Sequence, residues 1–295
     1  MKTMIKGTGV ALVTPFTQNG AVDHSGLTNL VNYCIEGGVE YLVVLGTTGE
    51  SATLNKDEKK AVLQTVVAAN QNRVKVVLGI GSNNTQEVLD AFETTDFTGV
   101  SAILSVSPYY NKPTQEGIYQ HYKAIAQASP LPIILYNVPG RTMSNMAAAT
   151  TLRLARDFKN IIAIKEASGN MEQIMDIIKN KPDGFEVVSG DDNLTFPMLA
   201  LGAVGVISVS GQGLPHIFTQ MVRDALAGKW TEARAAHYAL FDYTKMLFEE
   251  GNPGGIKASL KVSGVCDDCL RLPLWKISTD LFLRIELEVK RLSSK

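Results

Sequence analysis

Eight short runs of Val, Ile and Leu, alternating with segments of helical period, set the terms for any fold of this chain. The runs are GTGVALVTPF, VEYLVVLG, VKVVLGIG, GVSAILSVSP, PIILYNVP, IIAIKEAS, FEVVSGD and AVGVISVSG. Each is apolar over consecutive positions, the pattern of a strand covered on both faces. SGLTNLVNYCIEGG, KDEKKAVLQTVVAANQ, TQEVLDAFETT, TQEGIYQHYKAIAQA and NMEQIMDIIKN lie between them and carry apolar residues at helical spacing. Strand starts recur about every 25 to 35 residues, the length of one βα unit, so the spacing predicts a (β/α)8 TIM barrel. A doubly wound open sheet is the alternative, but no GxGxxG fingerprint follows any run and eight strands close a barrel.

The barrel is expected over residues 1–228. From PHIFTQMVRDALAG onward the period stays helical, with breaks at GNPGG and around CDDCLRLPL. No long flexible linker precedes that tail, so 229–295 is expected to be a helical extension packed on the barrel.

The 28 Lys and Arg residues nearly balance 29 Asp and Glu, which gives no basis for a nucleic-acid or other polyanion partner. The opening MKTMIKGTGVALVTPF has a short apolar run without a small-residue cleavage pattern, and Pro15 interrupts it before a spanning length. No membrane partner is expected. Three cysteines, Cys34, Cys266 and Cys269, are too few and too odd for a disulfide framework and suit a reducing, cytoplasmic setting. Cys266-Asp-Asp-Cys269 lacks the further ligands of a zinc site and the strand-to-helix context of a redox motif, so it reads as a polar turn. Cys34 reads as a small core residue.

In a barrel of this kind the active site lies at the C-terminal ends of the strands. There the chain places GTTGES, SPYYNKP, YNVPGRT, Lys165 and SGDDN. An ammonium group in a strand as apolar as IIAIKEAS is costly unless it is paired or has lost its proton. Lys165 is therefore either a structural partner of Glu166 or Asp191, or an amine kept partly neutral by desolvation so that it can attack a carbonyl. Adjacent strand residues face opposite ways, which makes Glu166 a poor partner. Gly46-Thr47-Thr48-Gly49-Glu50 offers backbone N–H groups and two hydroxyls ahead of a helix beginning near Asn55, a turn suited to a small carboxylate. Tyr136 ends the fifth strand beside the sixth and is either a proton relay for Lys165 or a core tyrosine. Arg141 is either a carboxylate clamp or a solvated loop residue. If the loop is extended, Tyr109 and Tyr110 point opposite ways and at most one of them faces the site.

With GTTGES, SPYYNKP, YNVPGRT, IKEASG and SGDD in order, the chain resembles the N-acetylneuraminate lyase superfamily of class I aldolases. Within it the nearest resemblance is to the dihydrodipicolinate synthase family. It covers essentially the whole chain, including NPGGIK and LRLPL in the tail. It implies a lyase that condenses pyruvate with L-aspartate 4-semialdehyde in the first committed step of diaminopimelate and L-lysine biosynthesis. By the same resemblance Lys165 forms the imine with pyruvate, without metal or organic cofactor. Thr47 and Thr48 hold its carboxylate, and Gly190 and Ile207 line its pocket. Thr47 and Tyr136 relay protons, joined by Tyr110 from a neighbouring subunit of a homotetramer built as a dimer of dimers. Arg141 binds the carboxylate of the semialdehyde. Superfamily relatives acting on sugar-derived 2-keto acids usually lack an arginine in the YNVPGRT context, and a non-catalytic barrel would have no need of Lys165, Tyr136 and both threonines together.

The resemblance also marks an interface cleft for L-lysine, matched here by Ser51, Ala52, Asn83, Glu87 and Tyr109. Glu87 suits an ammonium group. Two positions often held by histidine in lysine-inhibited relatives are Lys56 and Lys59 here, and two fixed positive charges oppose a cationic effector. Inhibition by L-lysine is expected to be weak or absent in a steady-state titration; a micromolar inhibition constant contradicts this.

Overall fold

The computed structural model describes residues 5–294. Its strands are β1 (Gly7–Ala11), β2 (Tyr41–Val44), β3 (Lys75–Gly79), β4 (Ala102–Val106), β5 (Ile133–Asn137), β6 (Ile161–Glu166), β7 (Glu186–Ser189) and β8 (Gly205–Ser208). They close in sequence order into one parallel barrel, with β8 paired to β1. Each of the eight apolar runs supplies one strand.

The intervening helices are α1 (His24–Glu36), α2 (Lys56–Asn70), α3 (Thr85–Thr94), α4 (Gln115–Ala128), α5 (Pro139–Thr142), α6 (Ala148–Asp157), α7 (Met171–Asn180), α8 (Thr195–Ala200), α9 (Ser210–Gly213) and α10 (Pro215–Leu226). Side-chain caps start several of them: Asp23 accepts from Gly26 N at α1 and Asn170 from Gln173 N at α7. At α2, Asn55 and Glu58 form a reciprocal capping box. After β8 the chain continues as α11 (Trp230–Glu249), α12 (Gly254–Val262) and α13 (Thr279–Ser293). No helix among the described residues is long and apolar enough to cross a membrane.

Strand alternation explains why the runs are apolar at every position. Tyr41, Val43, Ala102, Leu104, Ile134, Tyr136, Ala163 and Ile207 pack together inside the barrel. The residues between them, such as Leu42, Ile103, Leu135 and Ile164, belong to the layer beneath the helices. Gly9 leaves room for Tyr41 to cross the barrel, since a Cβ there would lie 2.0 Å from its ring. The Tyr41 hydroxyl then donates to the Val206 carbonyl at 2.8 Å, so the buried phenol is satisfied.

The last three helices share one core with the barrel: Leu240, Tyr243, Ile256, Leu260 and Ile285 join Leu27, Leu42 and Val206 in a continuous cluster. α11 packs on α10 and α8, and α12 on α9. Across this junction runs an ion pair. Lys257 Nζ donates to Glu50 Oε1 at 2.5 Å and to the Cys269 carbonyl at 2.7 Å, and both charged side chains are fully buried. The second Glu50 oxygen accepts from Arg271 N at 3.1 Å.

CDDC is therefore more than a polar turn. Asp268 does pair with Lys261 and Lys276, but Cys269 is buried and its carbonyl helps to satisfy Lys257. Burial pushes the Cys266 thiol up to about 12, and all three thiols are free.

Removing one partner of such a pair strands the other charge in the interior. Lys257→Met is expected to lose about 3–5 kcal/mol in equilibrium urea unfolding, part of which Glu50→Gln restores in the double variant. A loss below about 1 kcal/mol in the single variant contradicts this reading.

Candidate active site

Lys165 lies at the C-terminal end of β6, paired in register with Tyr136 of β5 and Val188 of β7. It follows the inward-facing Ala163 by two positions and is only 5% exposed. Neither carboxylate that could have neutralised it does so. Glu166 is fully buried on the opposite face, accepting from Asn137 and Gln173 side chains at 3.2 Å and from Ser168 N at 2.7 Å. Burial raises the Glu166 carboxyl above its ordinary range, against these hydrogen bonds. Asp191 accepts from Asn193 N, and burial together with the neighbouring Asp192 charge raises its carboxyl also.

Among the described residues Lys165 makes no ion pair and no hydrogen bond through its amine. Its closest polar relation is to an aromatic face, with Nζ 4.3 Å from the centroid of the Tyr136 ring.

The turn after β2 is built from two short 3-10 segments, Thr47–Gly49 and Ser51–Thr53. Leu45 (φ 57°) and Glu50 (φ 52°) bracket its first half in the left-handed region, which non-glycine residues enter at a cost. Glu50 is held there by Lys257 and Arg271, and the Gly49 carbonyl by the Thr14 hydroxyl at 2.7 Å. Gly49 N and Glu50 N donate within the turn to Gly46 and Thr47 carbonyls, leaving the N–H groups of Thr47 and Thr48 without an acceptor among the described residues. Thr48 is buried, and its hydroxyl accepts from Asn252 Nδ2 at 2.9 Å.

These groups face one cavity of about 1640 Å³ at the barrel mouth, which continues between α2 and α3. Thr47, Thr48, Tyr136, Arg141, Lys165 and Gly190 all line it, as does Asn252. Arg141 is exposed on α5 with no side-chain partner among the described residues, so its guanidinium is free for an anion. Ile207 is packed inside the barrel and is not on the cavity wall, where Val209 stands instead. Tyr110 is 86% exposed at φ 69°, outside the cavity, with Tyr109 beside it at the surface. Of the residues matched to an L-lysine cleft, Ser51 and Glu87 line the outer part of the cavity with Lys56 and Lys59. Glu87 accepts from the Ser82 hydroxyl at 2.7 Å. Ala52, Asn83 and Tyr109 do not line it. Among the described residues no three His, Cys, Asp or Glu side chains converge as metal ligands would.

Asn252 and Lys257 carry structural weight here that no strand-end motif announces, and so does the side chain of Glu50, which the GTTGES motif contains without showing its partner. Their one signal was the pair of breaks in the tail, GNPGG and CDDCLRLPL, where the chain leaves helical period to reach the turn.

Gly190 is where a single methyl group tests the amine's position. A Cβ there would lie 2.9 Å from Lys165 Cε and 2.8 Å from the Ala167 Cβ. Gly190→Ala is expected to lower activity by about tenfold or more through displacement of Lys165, with little change in melting temperature. Full activity in a steady-state assay contradicts this placement.

The Dihydrodipicolinate synthetase family model matches residues 4–292. A 4-hydroxy-tetrahydrodipicolinate synthase of Flavobacterium psychrophilum is 57% identical over 287 residues, 97% of this chain and 98% of that protein. The chloride-inhibited dihydrodipicolinate synthase of Acinetobacter baumannii, solved in complex with pyruvate, superposes with a TM-score of 0.94 at 37% identity, covering 98% of this chain and 99% of that one. The enzyme of Cyanidioschyzon merolae, solved with lysine bound, gives 0.95 at 38% identity over 99% of each chain.

Proposed function

Because this chain belongs to the dihydrodipicolinate synthetase family, lyases of the class I aldolase type, we propose that Lys165 condenses with the keto group of pyruvate and uses the resulting imine to build a carbon–carbon bond. The activity is that of a 4-hydroxy-tetrahydrodipicolinate synthase. The observation that supports Lys165 most is its state: a buried amine without a carboxylate partner, over the ring of Tyr136, in the same cavity as the Thr47–Thr48 turn.

The neutral amine adds to C2 of pyruvate and water leaves, giving an imine whose protonated nitrogen is the electron sink. Loss of a proton from C3 produces the enamine, and that carbon attacks the aldehyde of L-aspartate 4-semialdehyde. The substrate's own amine then displaces Lys165 by transimination as the ring closes, and the lysine is regenerated. No metal or organic cofactor enters these steps.

Tyr136 and Thr47 move protons at the imine carbon, a task for hydroxyls within reach of the reacting atoms. The Thr47 and Thr48 amides and the Thr48 hydroxyl hold the pyruvate carboxylate. Gly190 leaves room for the substrate beside Lys165, and Ile207 contributes through the barrel wall. Arg141 takes the carboxylate of the semialdehyde, which favours this acceptor over an uncharged sugar aldehyde. Tyr110 points into solvent from its own chain and completes the relay in a neighbouring subunit of a homotetramer. A cytoplasmic location suits the free thiols. The L-lysine reading keeps Ser51, Ala52, Asn83, Glu87 and Tyr109 as the effector cleft, weakened by Lys56 and Lys59.

Treatment with borohydride in the presence of pyruvate, followed by intact-mass measurement and peptide mapping, tests the imine. A reduced pyruvyl adduct on the peptide containing Lys165 is expected, and none in Lys165→Ala. Active protein that yields no adduct, or an adduct on another lysine, overturns the assignment.

A further inference from the structure

The C-terminal segment reaches into the cavity at one residue. Asn252, between α11 and α12, lines the cavity and donates from Nδ2 to Thr48 Oγ1 at 2.9 Å, across 204 positions of sequence. Five residues further on, Lys257 grips Glu50 at the far end of the same turn. The start of α12 thus holds the turn at two points, a charged one buried in the core and a neutral one facing the cavity.

A threonine hydroxyl has one proton and two lone pairs, whereas an amide NH2 only donates. With Asn252 N–H occupying a lone pair, the Thr48 proton points elsewhere. Thr48 donates to no other group among the described residues, so its proton is left for a ligand in the cavity. The second amide atom, Asn252 Oδ1, is buried with no donor among the described residues.

We propose that Asn252 is a positioning residue for the keto-acid carboxylate: it orients the Thr48 hydroxyl as a hydrogen-bond donor, and so makes the site selective for 2-oxo carboxylates. This rests on the reading of Lys165 and the turn as the pyruvate site. The hydroxyl adds one charge-assisted hydrogen bond to the two turn amides. Its loss falls on pyruvate affinity and leaves the later carbon–carbon step, which depends on Lys165 and Tyr136, nearly untouched.

The test is steady-state kinetics with borohydride trapping at graded pyruvate concentrations, on wild type, Asn252→Ala, Asn252→Asp, Thr48→Val and Asn252→Ala/Thr48→Val. Asn252→Ala is expected to raise the pyruvate KM by about tenfold, with kcat within about twofold and the semialdehyde KM unmoved. Asn252→Asp, nearly isosteric, is expected to do more harm, because a carboxylate takes the Thr48 proton and repels the substrate's charge. In the Thr48→Val background the alanine change is expected to add nothing. An unchanged pyruvate KM in Asn252→Asp overturns the proposal even if the alanine variant fails to fold. So does a loss in Asn252→Ala that persists in full without the Thr48 hydroxyl. Wild-type protein that is never trapped on Lys165 instead removes the pyruvate site itself.

Discussion

The buried pair between Lys257 and Glu50 is the contact through which the rest of the site is held. Two charges removed from water are tolerated only when geometry and further hydrogen bonds satisfy them. Here the ammonium group has a carboxylate oxygen, the Cys269 carbonyl and the face of Phe16 at 4.3 Å. The carboxylate has the ammonium group and the Arg271 amide. What these bonds secure is a backbone: Glu50 sits in the left-handed region, and its side chain keeps it there. The strained turn then leaves the Thr47 and Thr48 amides without an acceptor among the described residues, in two residues that line the cavity. Arg271 fastens the same region from outside, through Glu58 and the Gly20 and Thr53 carbonyls. The hydrogen bond from its guanidinium, followed by that from Asn55 N, holds the Glu58 carboxyl down at about 2. The last helices are thereby part of the site's architecture, although Lys165 itself lies on β6.

Among the described residues two lysines are buried, with opposite solutions to the same problem. Lys257 keeps a carboxylate partner and serves as a structural cation, although burial lowers its affinity for the proton against the pull of Glu50. Lys165 has an aromatic face and a cavity in place of a counter-ion. The carboxylate next to it in sequence, Glu166, is turned to the other side of the strand and is occupied by Asn137, Gln173 and Ser168. Strand alternation alone enforces that separation. No carboxylate therefore holds the Lys165 amine away from the cavity that it faces.

Most of the barrel was legible because its determinants are local. Eight doubly buried strands must be apolar at every position, and the polar residues that interrupt them at their ends stand out for that reason. Lys165, Tyr136, the threonine turn and Arg141 stand out in this way, Gly190 only through the family resemblance, and one cavity collects them. The pairing of Asn252 with Thr48 and of Lys257 with Glu50 is invisible to the same reasoning because the partners lie about two hundred residues apart in sequence. A lysine in a helix of mixed period looks like a solvated one, and CDDC looks like a surface turn until its carbonyl is found on a buried ammonium group. Ile207 was placed on the pocket wall, yet strand register tucks it into the barrel interior. Tyr110, whose proposed role needs a second subunit, has its ring exposed in the single chain.

The decisive measurement is a crystal structure of the protein soaked with pyruvate. Continuous density from Lys165 Nζ to the substrate C2 is expected, with the carboxylate on the Thr47 and Thr48 amides and the Thr48 hydroxyl, and the Asn252 amide still on that hydroxyl. Pyruvate bound without a covalent link to Lys165, or with its carboxylate on Arg141 and the turn unoccupied, would contradict it.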